Sequence, residues 1–301
     1  MNARPSIHHR AVTAGRRLLL GAAAAALLSA HVDATAQSPN LSKNRLVAAA
    51  AAYVNAYQQQ FAFLIADETT VQEAFGVKGQ VRVPLDARTT RGEIFITFLE
   101  GRRQWTTVRD VAEVDGVPVR NREDLPALLS REDPDAVARR LFALNARYNI
   151  GGVIRNFNDP MIALLPVSDA HRARFTFDVE DTDRSTGGVV LATLSFRERD
   201  RPTLVRPSPG GVAYARGDVT MDAATGAIHR TRFTVRYDKI EAELVTRFTR
   251  EERLGLWVPS TLSERYTASA DGFDDLITSE STYSNYRRFE TRGRIETVRP
   301  Q

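Results

Sequence analysis

Residues 226–238 read GAIHRTRFTVRYD, and their alternation decides the fold class. Ala227, His229, Thr231, Phe233, Val235 and Tyr237 fall on one side of an extended chain; Ile228, Arg230, Arg232, Thr234, Arg236 and Asp238 fall on the other. Successive side chains of a strand point to opposite faces. One face is therefore largely apolar and the other wet, as in an antiparallel sheet solvated on one side. The same habit surrounds this stretch. It predicts strands over 171–181, 189–197, 214–221, 227–238, 240–250, 256–268 and 275–289. Turns at Thr186-Gly187-Gly188, Asp222 to Gly226 and Asp271-Gly272 join them, and 200–211 is a loop rich in proline and glycine. Strands so joined make an antiparallel meander, not βαβ units.

Upstream the periods are mixed. Lys43 to Gln60 is a predicted helix, with Leu46, Ala50, Tyr53 and Tyr57 at helical spacing, Val47 and Val54 beside them, and an alanine run to favour it. Phe61, Phe63 and Ile65 then alternate, so the helix runs into a strand before the chain turns polar. Residues 90–99 and 103–112 form a predicted hairpin around Glu100-Gly101-Arg102. Asp115-Gly116 is a turn, and Pro118 confines any strand there to a sheet edge. Residues 120–132 are charged and loop-like. Asp133-Pro134 opens a helix over 134–148, closed by Gly151-Gly152, and Asp159-Pro160 opens a shorter one over 160–165, stopped by Pro166. The expected fold is α+β: a large curved antiparallel sheet of nine or ten strands, a half-open β-barrel, with these helices covering its concave face.

The first 36 residues read as a cleaved export signal. Arg4, Arg10, Arg16 and Arg17 precede the apolar run Leu18–Ala30, and Ala34-Thr35-Ala36 is a small-x-small cleavage site. The run is shorter than the roughly 20 residues of a membrane span, and Arg16-Arg17 suggests the twin-arginine route. Residues 37–301 are then expected as a single domain in the periplasm or outside the cell. The leader takes four arginines and one aspartate from totals of 41 basic and 37 acidic residues, leaving the rest with a net charge of +1. That near-neutrality argues against nucleic acid. The absence of cysteine removes disulfides, thiolate metal sites and a lipid anchor on cysteine. His171 and His229 alone cannot make a histidine-rich zinc site, and no cofactor or metal is expected.

No G-x-S-x-G elbow, H-E-x-x-H or phosphate-binding glycine loop is present. His171 and His229 fall on predicted strands and read as structural. Glu113 with Asp115, and Asp178 with Glu180, lie two apart and would share a strand face, a geometry that glycoside hydrolysis can use; a solvated face gives the same spacing. No catalytic residue is assigned. Trp105 follows Arg102-Arg103, where a stacking role competes with a structural one. What remains is an apolar inner face, with Ile94, Ile96, Phe98, Phe175, Phe177, Phe233, Val235, Tyr237, Phe248, Trp257 and Leu262 as candidates to line a ligand site. An ordinary core has the same composition.

The order of elements, with MDAATGAIHRTRFTVRYD at 221–238 and LGLWVPSTLSERY at 254–266 inside it, resembles the LolA/LolB-type periplasmic lipoprotein carriers and the related RseB-type envelope-stress regulators. It is also similar to uncharacterised secreted bacterial proteins of the same plan. The resemblance implies a half-open barrel closed by helices and a non-enzymatic carrier for a lipid, lipoprotein or other hydrophobic ligand, with peripheral membrane contact. A second reading is an interaction module for an envelope protein partner. A third is a hydrolase using surface carboxylates. This chain is longer than a typical carrier, with extra helical sequence near 120–165, and no residue in it is matched to the carriers' latch arginine.

Overall fold

The computed structural model describes residues 42–60, 63–99, 103–120, 122, 136, 140, 143, 146–153, 155, 158–184, 188–207, 210–270 and 273–288. All lie in one compact unit, Leu41–Gln301. The export signal expected over 1–36, Phe61, the Glu100–Arg102 turn, most of the helix expected over 134–148, and the turns expected at Thr186-Gly187 and Asp271-Gly272 lie outside the described residues.

The helix α1 spans Lys43–Gln60, as its periodicity predicts. It buries Leu46, Ala50, Ala51, Val54 and Tyr57, and two alanines on that face let its backbone lie close to what it packs on. Eleven strands follow among the described residues: β1 (Leu64–Lys78), β2 (Val81–Leu99), β3 (Gln104–Val114), β4 (Val117–Pro118), β5 (Phe175–Arg184), β6 (Val190–Glu198), β7 (Ala215–Asp222), β8 (Ile228–Tyr237), β9 (Ile240–Glu251), β10 (Leu256–Ala270) and β11 (Phe273–Arg288). They form one curved, open, antiparallel sheet in the order β4-β3-β2-β1-β11-β10-β9-β8-β7-β6-β5. Every neighbouring pair is consecutive in sequence except β1 with β11. The free edges are β4, which carries Pro118 as expected, and β5. Between residues 119 and 174 the chain passes from one edge of the sheet to the other.

Several expectations are corrected. β1 and β2 are far longer than the apolar stretches at Ile65 and 90–99 suggested. In β1 it is Leu64 and Ala66 that join the core, while Ile65 is buried on the opposite face. Residues 172–174 are a 3-10 turn, so His171 is not on a strand and β5 starts at Phe175. The short helix expected over 160–165 is a 3-10 turn, Ile162–Val167, and Pro166 sits inside it, tolerated by the tighter hydrogen-bond pattern. Asp115 lies in the β3–β4 turn with φ 51°, where it accepts from the Thr89 N–H, and so shares no strand face with Glu113.

The core lies on one face of the sheet. Residues directly opposite on neighbouring strands share a face, and the register traces one row on the core side: Phe177, Phe196, Gly217, Phe233, Leu244, Glu264, Ser279 and Gln72, from β5 through to β1. A second row runs Leu194, Val219, Thr231, Thr246, Leu262, Ser281, Thr70 and Thr90. The first turns from apolar to polar between β9 and β10; the second turns polar at Thr231 on β8 and is polar from there on except at Leu262. Gly217 is required by close approach: a Cβ there would strike the Arg232 carbonyl and the Phe196 ring. The gap lets Phe196 and Phe233 meet at 6.3 Å between ring centroids. At Gly226, φ is +77° and a Cβ would meet the Ala49 carbonyl, so the β7–β8 turn abuts α1. The helix packs on the Ile162–Val167 turn, on β5 and on β6, and that turn packs on β7 and β8.

Candidate functional site

The residues expected to line a ligand site fall mostly in the core. Ile94, Ile96, Phe233 and Leu262 are fully buried, and Phe175, Val235 and Phe248 nearly so. Phe98, Phe177 and Trp257 are half-buried against the same cluster. Tyr237 lies outside it, at the end of β8, where its hydroxyl donates to the Gly210 carbonyl at 2.7 Å. The fold gathers these side chains in two groups. Phe177, Phe175, Phe196 and Phe233 form a chain of rings with centroids 6.5, 5.8 and 6.3 Å apart, distances at which aromatic pairs attract. At the other end Phe98 meets Trp105 edge-on at 5.1 Å, and Tyr57 of α1 tilts against the same indole at 5.8 Å. Ile94 and Ile96 lie beside it on β2. Trp105 is thus a core residue that receives the helix, and its stacking role is taken by the protein itself.

The ring chain reaches the surface. Phe177 lines an open cleft of about 500 Å³ between the start of α1 and the edge strand β5, together with Val47, Ala48, Lys43, Arg172 and Arg199. Lys43 holds Asp178 across it at 3.4 Å. Among the described residues, polar contacts tie α1 to the rest through that ion pair, a two-way exchange between Asn55 and Asp169, the Tyr57 hydroxyl to the Trp257 carbonyl at 2.5 Å, and Arg288 to the Gln60 carbonyl at 3.0 Å. Burial holds the Tyr57 phenol well above its usual range, so it stays a donor.

The polar half of the core face went unseen in the sequence. Glu68 on β1 is almost fully buried and accepts twice from Nε of Arg109 on β3, both at 2.9 Å. Burial works against the charge of Arg109, but Glu68 together with Tyr283 and Glu264 outweighs this and holds the guanidinium firmly protonated. Arg109 also donates to the Asn158 carbonyl at 3.1 Å. Gln72 donates to the Tyr148 carbonyl at 3.1 Å and accepts from the Ile150 N–H and from Arg155. Arg155 is buried over the Tyr266 ring, 5.7 Å from its centroid, and burial lowers its pKa. Tyr266 donates to Glu264, and Thr246 to the Pro160 carbonyl at 2.9 Å. These bonds pin the crossing segment at Tyr148, Ile150, Arg155, Asn158 and Pro160 onto the sheet. A cavity of about 30 Å³ among Thr70, Gln72, Thr90, Arg109, Arg155, Glu264, Ser279 and Ser281 has room for a water molecule. Asp159 accepts from the Met161 N–H at 2.8 Å, and burial raises its pKa from 3.8 to about 6. Such pairings are long-range in sequence, so no local motif announces them.

The other candidate chemistry is placed plainly. His171 bridges the Arg103 carbonyl at 2.9 Å and Arg174 at 2.6 Å, and burial lowers its pKa. His229 packs tilted at 49° against Trp257 with centroids 4.2 Å apart, and burial lowers its pKa as well. Glu113 pairs with Arg91, and Asp178 and Glu180 are exposed on β5. Among the described residues, no group of three or more His, Asp or Glu side chains is placed to hold a metal ion.

No family model matches the chain, and no curated protein does. Among solved structures it is similar to a candidate outer membrane lipoprotein-sorting protein domain from Vibrio parahaemolyticus, at 14% identity and a TM-score of 0.40, over 79% of this chain and 90% of that one. The chain resembles a lipoprotein-sorting domain. It is also similar to the MucA/MucB complex structure from Pseudomonas aeruginosa, at 11% identity and a TM-score of 0.17, over 81% of this chain and 96% of that one. A third likeness is to lipovitellin, at 8% identity and a TM-score of 0.28, where 78% of this chain spans about a quarter of the other, 26%. The resemblance read from the sequence, to lipoprotein carriers and RseB-type regulators, recurs among these structures. At such scores the likenesses assign this chain no ligand.

Proposed function

We propose that the chain is a non-enzymatic binding protein of the periplasm that takes the acyl chain of a lipid or lipoprotein against the core face of β5 to β9. The observation that carries this reading is the ring chain from Phe177 in the open cleft beside α1 to Phe233 on β8, the strand on which the Ile162–Val167 turn packs. In it, α1 and the Ile162–Val167 turn are the movable cover over the concave face. The exposed tether of α1 between Lys43 and Asp178 is of a kind that contributes about 1 kcal/mol or less. An acyl chain burying about a dozen methylenes brings roughly 10 kcal/mol, enough to offset lifting a helix two of whose five buried residues are alanine. Residues 1–36 serve in this reading as the signal that sends residues 37–301 to the periplasm as one domain.

The test is a solvent extract of the purified protein read by lipid mass spectrometry against a mock purification, with uptake of a fluorescent fatty acid beside it. An enriched acyl species, or uptake lost in Phe177→Asp, supports the reading. An empty extract with no uptake overturns it.

The second reading, a protein-interaction module, is favoured by one observation. Val81, Val83 and Leu85 at the tip of the β1–β2 hairpin are each more than half exposed, and they alternate so as to share a face. Exposed apolar patches of this kind mark partner sites. A stoichiometric protein co-purifying without lipid, and lost in Val83→Ser, would put this reading first.

A further inference from the structure

The face of the sheet turned away from the core is not uniform in charge. On β6 to β9 its positions carry six arginines: Arg197, Arg216, Arg230, Arg232, Arg236 and Arg247. Five carboxylates share these positions: Asp222 accepts from the backbone of its own turn and Glu251 pairs with Arg253 beyond the strand end, while Asp218, Glu241 and Glu243 stand among the arginines, and two of these three are shared. Asp218 accepts from Arg230 and Arg232 at 2.9 and 2.6 Å, and Glu241 binds both Arg216 and Arg236. Each such triad keeps one positive charge uncompensated and holds its planar guanidinium forks in place. Asp218 is 1% exposed, with its two arginines paired over it.

The register adds an independent observation. Arg197 stands directly opposite Arg216, and Arg230 directly opposite Arg247. Like charges in that relation destabilise a sheet. Two such pairs within four strands are a standing penalty that a face meant only for water does not need. An anion seated between the partners relieves it. The arginine fork matches phosphate bidentately. The remaining positions here are Leu191, Thr193, Ser195, Thr220, Thr234, Glu243, Val245 and Thr249, with no aromatic anchor and, beyond Val245, only the half-buried Leu191 at the start of β6 as an apolar one. A protein partner takes most of its energy from such anchors. A layer of phosphate headgroups needs none.

We propose that the arginine face of β6 to β9 docks on an anionic phospholipid surface. The surface goes beyond the carrier reading and does not depend on it: it uses the opposite face of the sheet. A failed lipid extract leaves it standing, and failed docking leaves the acyl site standing. The test is co-sedimentation of the purified protein with vesicles of phosphatidylcholine alone or with added phosphatidylglycerol, at low and high salt. The protein is expected on the anionic vesicles only, and less so at high salt. The double variant R197Q/R247Q removes one arginine from each opposed pair, and should bind about 30-fold more weakly, about five-fold per arginine. Its melting temperature should not fall, since like-charge opposition is relieved. Arg265→Gln, on β10 among Glu243, Glu280 and Glu73, should bind as the parent does. Equal binding to neutral vesicles, no binding to either, or full binding by R197Q/R247Q overturns the proposal. So does tighter binding to polyglutamate than to vesicles, which would make the partner an acidic protein.

Discussion

Replacing Glu68 by glutamine should cost about 3 kcal/mol of stability. The carboxylate is almost fully buried and is the charged partner of Arg109, whose Nε reaches both of its oxygens at 2.9 Å. Glu68→Gln keeps the shape and one acceptor but leaves a buried guanidinium without its counter-charge. Removing one member of a buried pair typically costs about 3–5 kcal/mol, and the retained amide oxygen places this change at the lower end. Arg109→Met should cost more, because it strands Glu68 and also removes the donor to the Asn158 carbonyl. Replacing both, as E68L/R109M, removes the desolvation of two charges along with their attraction. Its cost should be about 1 kcal/mol, chiefly the orphaned Asn158 carbonyl. The single effects therefore should not add, with a coupling of several kcal/mol. Urea unfolding followed by fluorescence of Trp105 and Trp257 measures each variant, with slopes compared to confirm one transition. Single variants within about 1 kcal/mol of the parent, or a double variant equal to the two singles together, would refute the reasoning.

Other outcomes follow from the same geometry. Asp159 has its pKa raised in the folded chain to about 6, so the folded state favours its protonated form; the resulting penalty is absent below pH about 4, grows as pH rises toward 6 and is complete above it. Asp159→Asn should therefore stabilise by up to about 3 kcal/mol at pH 7.5 and by little at pH 4, and a gain independent of pH in chemical unfolding would count against it. Gly217→Ala drives a methyl group into the Arg232 carbonyl and the Phe196 ring, and should lower stability by about 1–3 kcal/mol in a thermal melt. Tyr57→Phe removes the hydroxyl that reaches the Trp257 carbonyl and should cost about 1 kcal/mol, with faster amide exchange in α1 as the specific readout.

What the sequence made legible follows the chemistry of each face. Over β8 and β9 the core side is Phe233, Val235, Ala242 and Leu244 and the outer side is arginine, threonine and glutamate, so alternation alone places the strands. The helix at Lys43–Gln60 is equally plain, since no turn residue interrupts its period. β1 hides because its core side is Leu64, Ala66, Glu68, Thr70 and Gln72; once the core side turns polar, alternation vanishes while the strand continues. Those polar residues are buried only because Arg109, Arg155 and Ser281 come to them from 40 to more than 200 positions away. The candidate ligand side chains were legible as one apolar set. How α1 and the Ile162–Val167 turn lie on them depends on packing, which composition does not encode.

The pairing of β1 with β11 has a consequence for assembly. In an ordinary meander the first and last strands are the rims, and each new hairpin extends a finished piece. Here the rims, β4 and β5, are made mid-chain, and the earliest and latest strands meet at an interior seam. Leu64 finds Arg288, and Val77 finds Asp274. A chain that emerges from its amino end can fold β1 to β4 as one wing and β5 to β10 as another, but the wings join only when β11 arrives to lie between them. Closure of that long loop should be the slow step of folding. A cut near residue 272 would then remove a central plank and leave two half-sheets, each with a raw edge.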